Sequence, residues 1–270
     1  MRMRLGRWIA DHAIMAVGLL VLAYMFVPIV VVVLMSFNAP ASRAAYTFDA
    51  FTLENWLNPC EPEGLCSSLV TSLQVGLLAT VGATALGTLM AFALVRHRFR
   101  GRGTANVVVF MPMASPEVVM GASLLALFVA TGFGGVLGFW TILIAHIMFC
   151  LSFVVVTVRA RLQGMDSRLE QAAMDLYATE WQAFWKVTFP LVFPGILSAA
   201  LLAFALSFDD FIVTNFNSGQ TVTFPMYVWG AAQRDIPMQI NVIGTAMFAI
   251  AVIIVLGGEL GRRRRPANAA

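Results

Sequence analysis

Three carboxylates stand inside long apolar runs: Glu117 in SPEVVMGASLL, and Asp209 and Asp210 in LSFDDFIVT. No lysine or arginine lies within those runs to neutralise them. An ionised carboxylate in an apolar medium is costly, so each needs a cavity, a partner or a proton. Phe208 and Phe211 flank the aspartate pair. Unpaired acids beside aromatic rings suit a cationic amine, through charge attraction and contact between an ammonium group and a ring face. A plainer arrangement is also open: an aspartate bonded to backbone at a helix break, or a Glu117 that burial keeps protonated. Neighbouring residues on a helix point about 100° apart, so Asp209 and Asp210 share a direction only if the helix breaks. The sequence leaves open which of them faces a pathway.

A second kind of chemistry lies in the one long polar interruption, residues 165–196, MDSRLEQAAMDLYATEWQAFWKVTFPLVFPGI. Ser167 to Glu170 reads S-x-x-E and Thr179 to Gln182 reads T-x-x-Q, the form in which two side chains satisfy each other's free backbone N–H groups at a helix start. Two helices set end to end are predicted, with Pro190 removing a donor and stopping the second. Leu169, Ala172, Ala173, Leu176, Trp181, Phe184 and Trp185 cannot all face water cheaply, so this hairpin needs a partner. Elsewhere, Cys60 and Cys66 can close a small disulfide or remain two free thiols. Cys150 reads as packing, and His146 as a hydrogen-bonded interior residue rather than a ligand. There is no Walker A sequence, H-E-x-x-H or C-x-x-C, and the 3 histidines offer no metal cluster. No nucleotide, metal or other cofactor site is expected in the chain itself.

The elements that must position these residues are membrane helices. Of 270 residues, 60% are hydrophobic and 11% charged, and the mean hydropathy is +0.83. That composition is all-α and polytopic, not a soluble globule. Spans are predicted over 12–36, 69–95, 104–131, 137–158, 191–215 and 241–258, each with about the 20 apolar residues that a bilayer crossing needs. Loops fall at 37–68, 159–190 and 217–240. The last holds Pro225, Trp229, Arg234 and Pro237, which suggests a short plug or gate helix. Pro112 and Pro116 interrupt the third span, and on a straight helix Glu117 lies about 20 Å from its inner end.

Charge sets orientation. With both termini inside, only Arg43 and Arg234 of the 17 basic side chains lie outside. This satisfies the positive-inside rule and leaves the polar hairpin in the cytoplasm. The net charge of +3 is thus a matter of topology, and no nucleic-acid partner is implied. The first hydrophobic stretch is too long for a signal peptide and lacks an A-x-A exit, so it is expected to remain as span one.

The hairpin resembles the EAA loop of ABC-importer permeases. The residues that carry the likeness are Gln171-Ala172-Ala173, then Tyr177, then Val187-Thr188-Phe189-Pro190. Gln171 replaces the family's acid, with Glu170 beside it, and Tyr177 stands where a glycine eases the bend. Nearly the whole chain is similar to the second permease subunit of polyamine importers, through PIVVVVLMSFN, FTLENW, ALVRHRFRGRG, PMASPEVVMGASLL, VVVTVRARLQGMD and ALSFDDFIVTNFNSG. The resemblance implies the type I importer (MetI-like) transmembrane fold in a bacterial inner membrane. It implies a heterodimer with a homologous permease, two copies of an ABC ATPase that bind ATP and magnesium, and a periplasmic polyamine-binding protein. It also implies that Glu170, Gln171, Ala172, Ala173, Asp175, Tyr177 and Pro190 belong to the ATPase-coupling loop, while the candidates for a substrate pathway remain those of the residue reading above: Glu117, Phe208, Asp209, Asp210 and Phe211.

Other readings remain at this stage. One is an importer of another amine, an opine-like compound, iron or thiamine. Another is a proton-driven carrier using Glu117 and Asp210, although no inverted repeat is visible. A membrane enzyme is disfavoured, because no nucleophile or metal constellation is present.

Overall fold

The computed structural model describes residues 2–41, 47–166 and 168–263. Arg43, Ser167, Arg264 and Arg265 therefore lie outside the described residues. The helices are α1 (Arg2–Met35), α2 (Glu54–Leu57), α3 (Leu65–Arg96), α4 (Arg102–Ala114), α5 (Glu117–Ala130), α6 (Phe139–Gln163), α7 (Arg168–Asp175), α8 (Glu180–Ala183), α9 (Phe189–Asp209), α10 (Ile212–Asn217), α11 (Phe224–Ala232) and α12 (Met238–Arg263). Among the described residues the β contribution is one isolated antiparallel bridge, Asn38 to Phe51. Helices suit this composition because a backbone surrounded by lipid must bond to itself. Five helical segments are long and apolar enough to cross a membrane, and a sixth crossing arises if the bent pair α4–α5 counts as one span.

The chain divides into two compact units. The first runs up to Cys66 and resumes at Val228. In it α1 packs along α12, with Val32 beside Gly244. Its loop is folded around Asn38, which is fully buried. The Asn38 side chain donates to Thr47 O (2.8 Å) and accepts from the Asp49 N–H (2.9 Å), while Asn55 donates to Asn38 O (2.9 Å). Phe37 stacks on Phe51 and Trp56. Cys60 and Cys66 are joined as a disulfide, with Cα atoms 5.3 Å apart.

The second unit, Ser67–Tyr227, carries the functional geometry. Its core centres on α6, whose Ala145, Phe149, Val154 and Val158 are buried with Ala199 and Ala203 of α9. Small residues let α3 approach closely: a Cβ on Gly87 would lie 2.6 Å from Val154 Cγ1. In a bilayer, helices associate through such packing rather than through hydrophobic expulsion.

Three local expectations are corrected here. Pro112 does not interrupt a helix, since it sits inside α4. The break falls at Pro116, because a residue before proline is pushed out of the helical region, and Ser115 is extended (ψ 138°). The two halves bend by 111°, so the depth assigned to Glu117 on a straight helix does not hold. Pro190 does not stop a helix either. The turn before it, Phe184–Thr188, widens to a π-helix in which the Phe189 N–H reaches back to Phe184 O. That wider register accommodates the missing proline donor, and one continuous segment runs from Glu180 to Asp209. The second hairpin helix is thus the beginning of span five. At the other end, the expected 191–215 helix stops at Asp209, since Asp210 is extended (φ −66°, ψ 122°) before α10 begins.

Candidate functional site

The two helix breaks meet at one hollow. A cavity of about 460 Å³ is lined by Glu117, Phe149, Leu206, Asp209, Asp210 and Phe211, among others. Glu117 opens α5, Asp209 closes α9 and Asp210 lies at the break, so residues 92 apart in the chain are brought to one wall. Of the expected pathway residues, Glu117, Asp209, Asp210 and Phe211 are assembled there. Phe208 is not: its ring packs against Phe204 (5.9 Å) and Phe224 (6.2 Å) instead. A one-residue step on a helix turns the side chain by about 100°, which puts Phe208 on another face.

The two aspartates do different work. Asp209 is exposed to the cavity. Asp210 is 8% exposed and is consumed by its surroundings. Its carboxylate accepts from the backbone N–H groups of Thr214 (2.7 Å) and Val213 (3.4 Å) and from the Thr214 hydroxyl (2.8 Å). These are the free donors at the start of α10, and a carboxylate there caps the helix and meets its positive end. His146, buried on α6, completes the group. Its Nε2 lies 2.8 Å from Thr214 Oγ1 and 3.3 Å from Asp210 Oδ2, and its Nδ1 lies 2.7 Å from Ser207 Oγ. With the ring proton on Nε2, Ser207 donates to His146, His146 to Thr214, and Thr214 to Asp210. His146 is thus the hydrogen-bonded interior residue expected of it. Its partnership with Asp210 escaped the sequence, because the two lie 64 positions apart and neither carries a local motif. Phe149 was missed similarly; its only signal is its place one turn beyond His146.

The hairpin forms a second surface. Thr179 Oγ1 accepts from the Gln182 N–H (3.3 Å) and Gln182 Oε1 from the Thr179 N–H (3.0 Å), so this capping box forms. The other box rests on Ser167, outside the described residues; the Arg168 N–H there bonds Asp166 Oδ1 (2.9 Å). Helix α7 ends with the Tyr177 N–H on Met174 O (2.9 Å) and the Ala178 N–H on Ala173 O (3.1 Å). That crossed pair closes a helix when the residue after it turns left-handed, and Tyr177 does so at φ 65°. The tyrosine therefore holds a glycine's backbone. Its side chain is 97% exposed, Leu176 81% and Trp181 70%, while Gln171, Ala172, Asp175 and Pro190 are exposed and Ala173 half-buried. Glu170 turns the other way: its carboxylate accepts from both terminal nitrogens of Arg96 and from the Thr188 hydroxyl. Arg96 beside it holds the Glu170 carboxyl below the usual glutamate range, against the opposing effect of partial burial.

Apolar helices that break around an acid-lined hollow suit a membrane transport protein. The chain belongs to the family of binding-protein-dependent transport system inner membrane components, whose model matches residues 83–260. Members of this family are multi-pass transport subunits that work with an ATPase and a binding protein, not enzymes. The chain is 34% identical over 261 residues to the spermidine/putrescine transport system permease protein PotC of Haemophilus influenzae, covering 96% of this chain and 99% of that one. It is 35% identical to Escherichia coli PotC (88% and 89% covered). To the putrescine transport system permease protein PotI of Escherichia coli it is 34% identical (87% and 85% covered). In fold it is similar to a bacterial ABC transporter involved in the import of the acidic polysaccharide alginate, with a TM-score of 0.65 at 16% identity over 95% of this chain and 96% of that one. It is also similar to an amino acid ABC transporter (TM-score 0.56, 15% identity, 79% and 96% covered).

Proposed function

We propose that this chain is a permease subunit of an ATP-driven polyamine importer. It forms half of the translocation pathway, beside a homologous permease. Two ATPase copies sit in the cytoplasm, and a polyamine-binding protein delivers substrate from the periplasm. The six predicted spans cross the bacterial inner membrane with both termini inside. The loop closed by the Cys60–Cys66 disulfide then faces the oxidising side, and the α11 segment serves as a gate near the outer end.

The observation that carries the substrate class is the hollow at the two helix breaks. Glu117 and Asp209 are exposed there beside Phe211, and the carbonyl end of α9 adds its own negative partial charge. An ammonium group fits all of these features, and the relatives named above carry spermidine and putrescine transport in their names. Asp209 touches the amine, while Asp210 holds the break in place. Transport requires weak holding, so no tight site is expected. At the cytoplasmic end, the exposed face of α7 with Leu176, Tyr177 and Trp181 docks on the ATPase, and closure of the ATPase pair is passed to the spans.

The test is co-expression of this chain with its partner subunits, followed by reconstitution. A P-loop ATPase co-purifies, and labelled putrescine or spermidine enters vesicles only with ATP. Uptake that persists without the ATPase and collapses with the proton gradient would refute the reading.

A further inference from the structure

Helix α7 has no buried residue. It packs against the π turn and α8, and next to it lies an open hollow of about 500 Å³, floored by Leu89, Phe92, Met174, Ala183 and Phe184. Apolar packing therefore does not weld this helix to the spans. Among the described residues, its polar tie to the spans is one carboxylate. Glu170, in the first turn of α7, takes both terminal nitrogens of Arg96, the last residue of α3, and the hydroxyl of Thr188, the last residue of the π turn that leads into α9. The glutamate is 14% exposed at its side chain and Arg96 33%, and Thr188 is buried. The fork of a guanidinium meeting a carboxylate fixes direction as well as distance, so the node resists rotation of α7 as well as separation.

We infer that Glu170 is a positioning residue, a strut that makes the coupling helix move as one body with α3 and α9, rather than a contact to the ATPase. The inference rests on the importer reading of the hairpin. Its physical content is that force applied to α7 passes through the Arg96–Glu170–Thr188 node into two spans at once. Without the node, the helix can tilt into the adjoining hollow while the spans stay still. The acid of the docking motif is replaced by Gln171, which is exposed; the neighbouring acid has been turned inward for another task.

The experiment uses the full complex in vesicles, with bound ATPase, ATP hydrolysis and putrescine uptake measured together. In E170Q and R96Q the ATPase stays bound and hydrolysis continues, but putrescine imported per ATP falls about tenfold, the factor set by losing one charge-assisted hydrogen bond. T188V, which deletes one donor to the same carboxylate but leaves the Arg96 fork in place, lowers the same ratio in the same direction, by no more than about tenfold. The exchange R96E/E170R restores much of what each single change loses, which also separates a lost strut from a misfolded loop. The strut is overturned if E170Q sheds the ATPase while R96Q keeps it, since that marks Glu170 as a direct docking contact. Unchanged import per ATP in both single variants, or no recovery in the exchange, also overturns it. Wild-type vesicles that import without consuming ATP would remove the importer reading, and the strut with it.

Discussion

Replacing Asp209 and Asp210 separately by asparagine separates the two roles the structure gives to adjacent, chemically identical residues. Asp210 satisfies Val213 N–H, Thr214 N–H and the Thr214 hydroxyl with two carboxylate oxygens, and His146 lies 3.3 Å away. Asparagine offers one oxygen and one NH₂, so at least one buried donor then faces another donor. Losing a hydrogen bond to a charged group costs about 1.5–3 kcal/mol, and an unsatisfied buried partner about 1–3 kcal/mol more. Asp210→Asn should therefore destabilise the protein by about 2.5–6 kcal/mol, with the loss concentrated where α9 meets α10. Asp209 is exposed at the cavity wall, so Asp209→Asn should change stability by no more than about 0.5 kcal/mol. On the proposed function it removes the charge offered to the amine, and uptake should fall about tenfold, equivalent to about 1.4 kcal/mol. Thermal unfolding in detergent reads the first quantity. Putrescine uptake into vesicles matched for protein content reads the second. An Asp210→Asn protein of unchanged stability but abolished uptake, paired with an inert Asp209→Asn, would show that the assignment is reversed.

Two further outcomes follow from the hairpin. Tyr177 holds φ 65°, a region that costs an L-residue about 1–2 kcal/mol and glycine almost nothing. Tyr177→Gly should thus slow amide exchange at the end of α7 by up to about tenfold; faster exchange would mean that the exposed ring contributes more than the backbone saves. The second outcome concerns acid. Because Arg96 depresses the folded-state pKa of Glu170, the tie's contribution to stability is fully present above the ordinary glutamate value of 4.5. It is lost progressively as pH falls from there through the lower folded value. Amide exchange in α7, compared between wild type and Glu170→Gln from neutral pH downward, should show a constant gap until that acid range and a closing gap within it. A gap that closes near neutrality would contradict the ionised tie.

What could be read from the residues alone was whatever depends on near neighbours or on the solvent. Runs of apolar residues announce helices that need a bilayer, because that is a sum over local transfer costs. Thr179 and Gln182 announce a helix start, since both halves of that bond lie within one turn. Glu117, Asp209 and Asp210 stood out because charge in an apolar run is rarely idle, and Phe211 because it flanks them. Tertiary structure decided the rest. It made Pro190 part of a continuous helix, since a π turn supported by Thr188 widens the register before it. It broke α9 after Asp209, where His146 and the first turn of α10 compete successfully for the next carboxylate. It turned Glu170 toward Arg96, 74 residues earlier. In each case the winning interaction joins residues far apart in the chain, and a proline or a carboxylate has several local options of similar free energy. Only the distant partner, once packed into place, makes one of them the lowest.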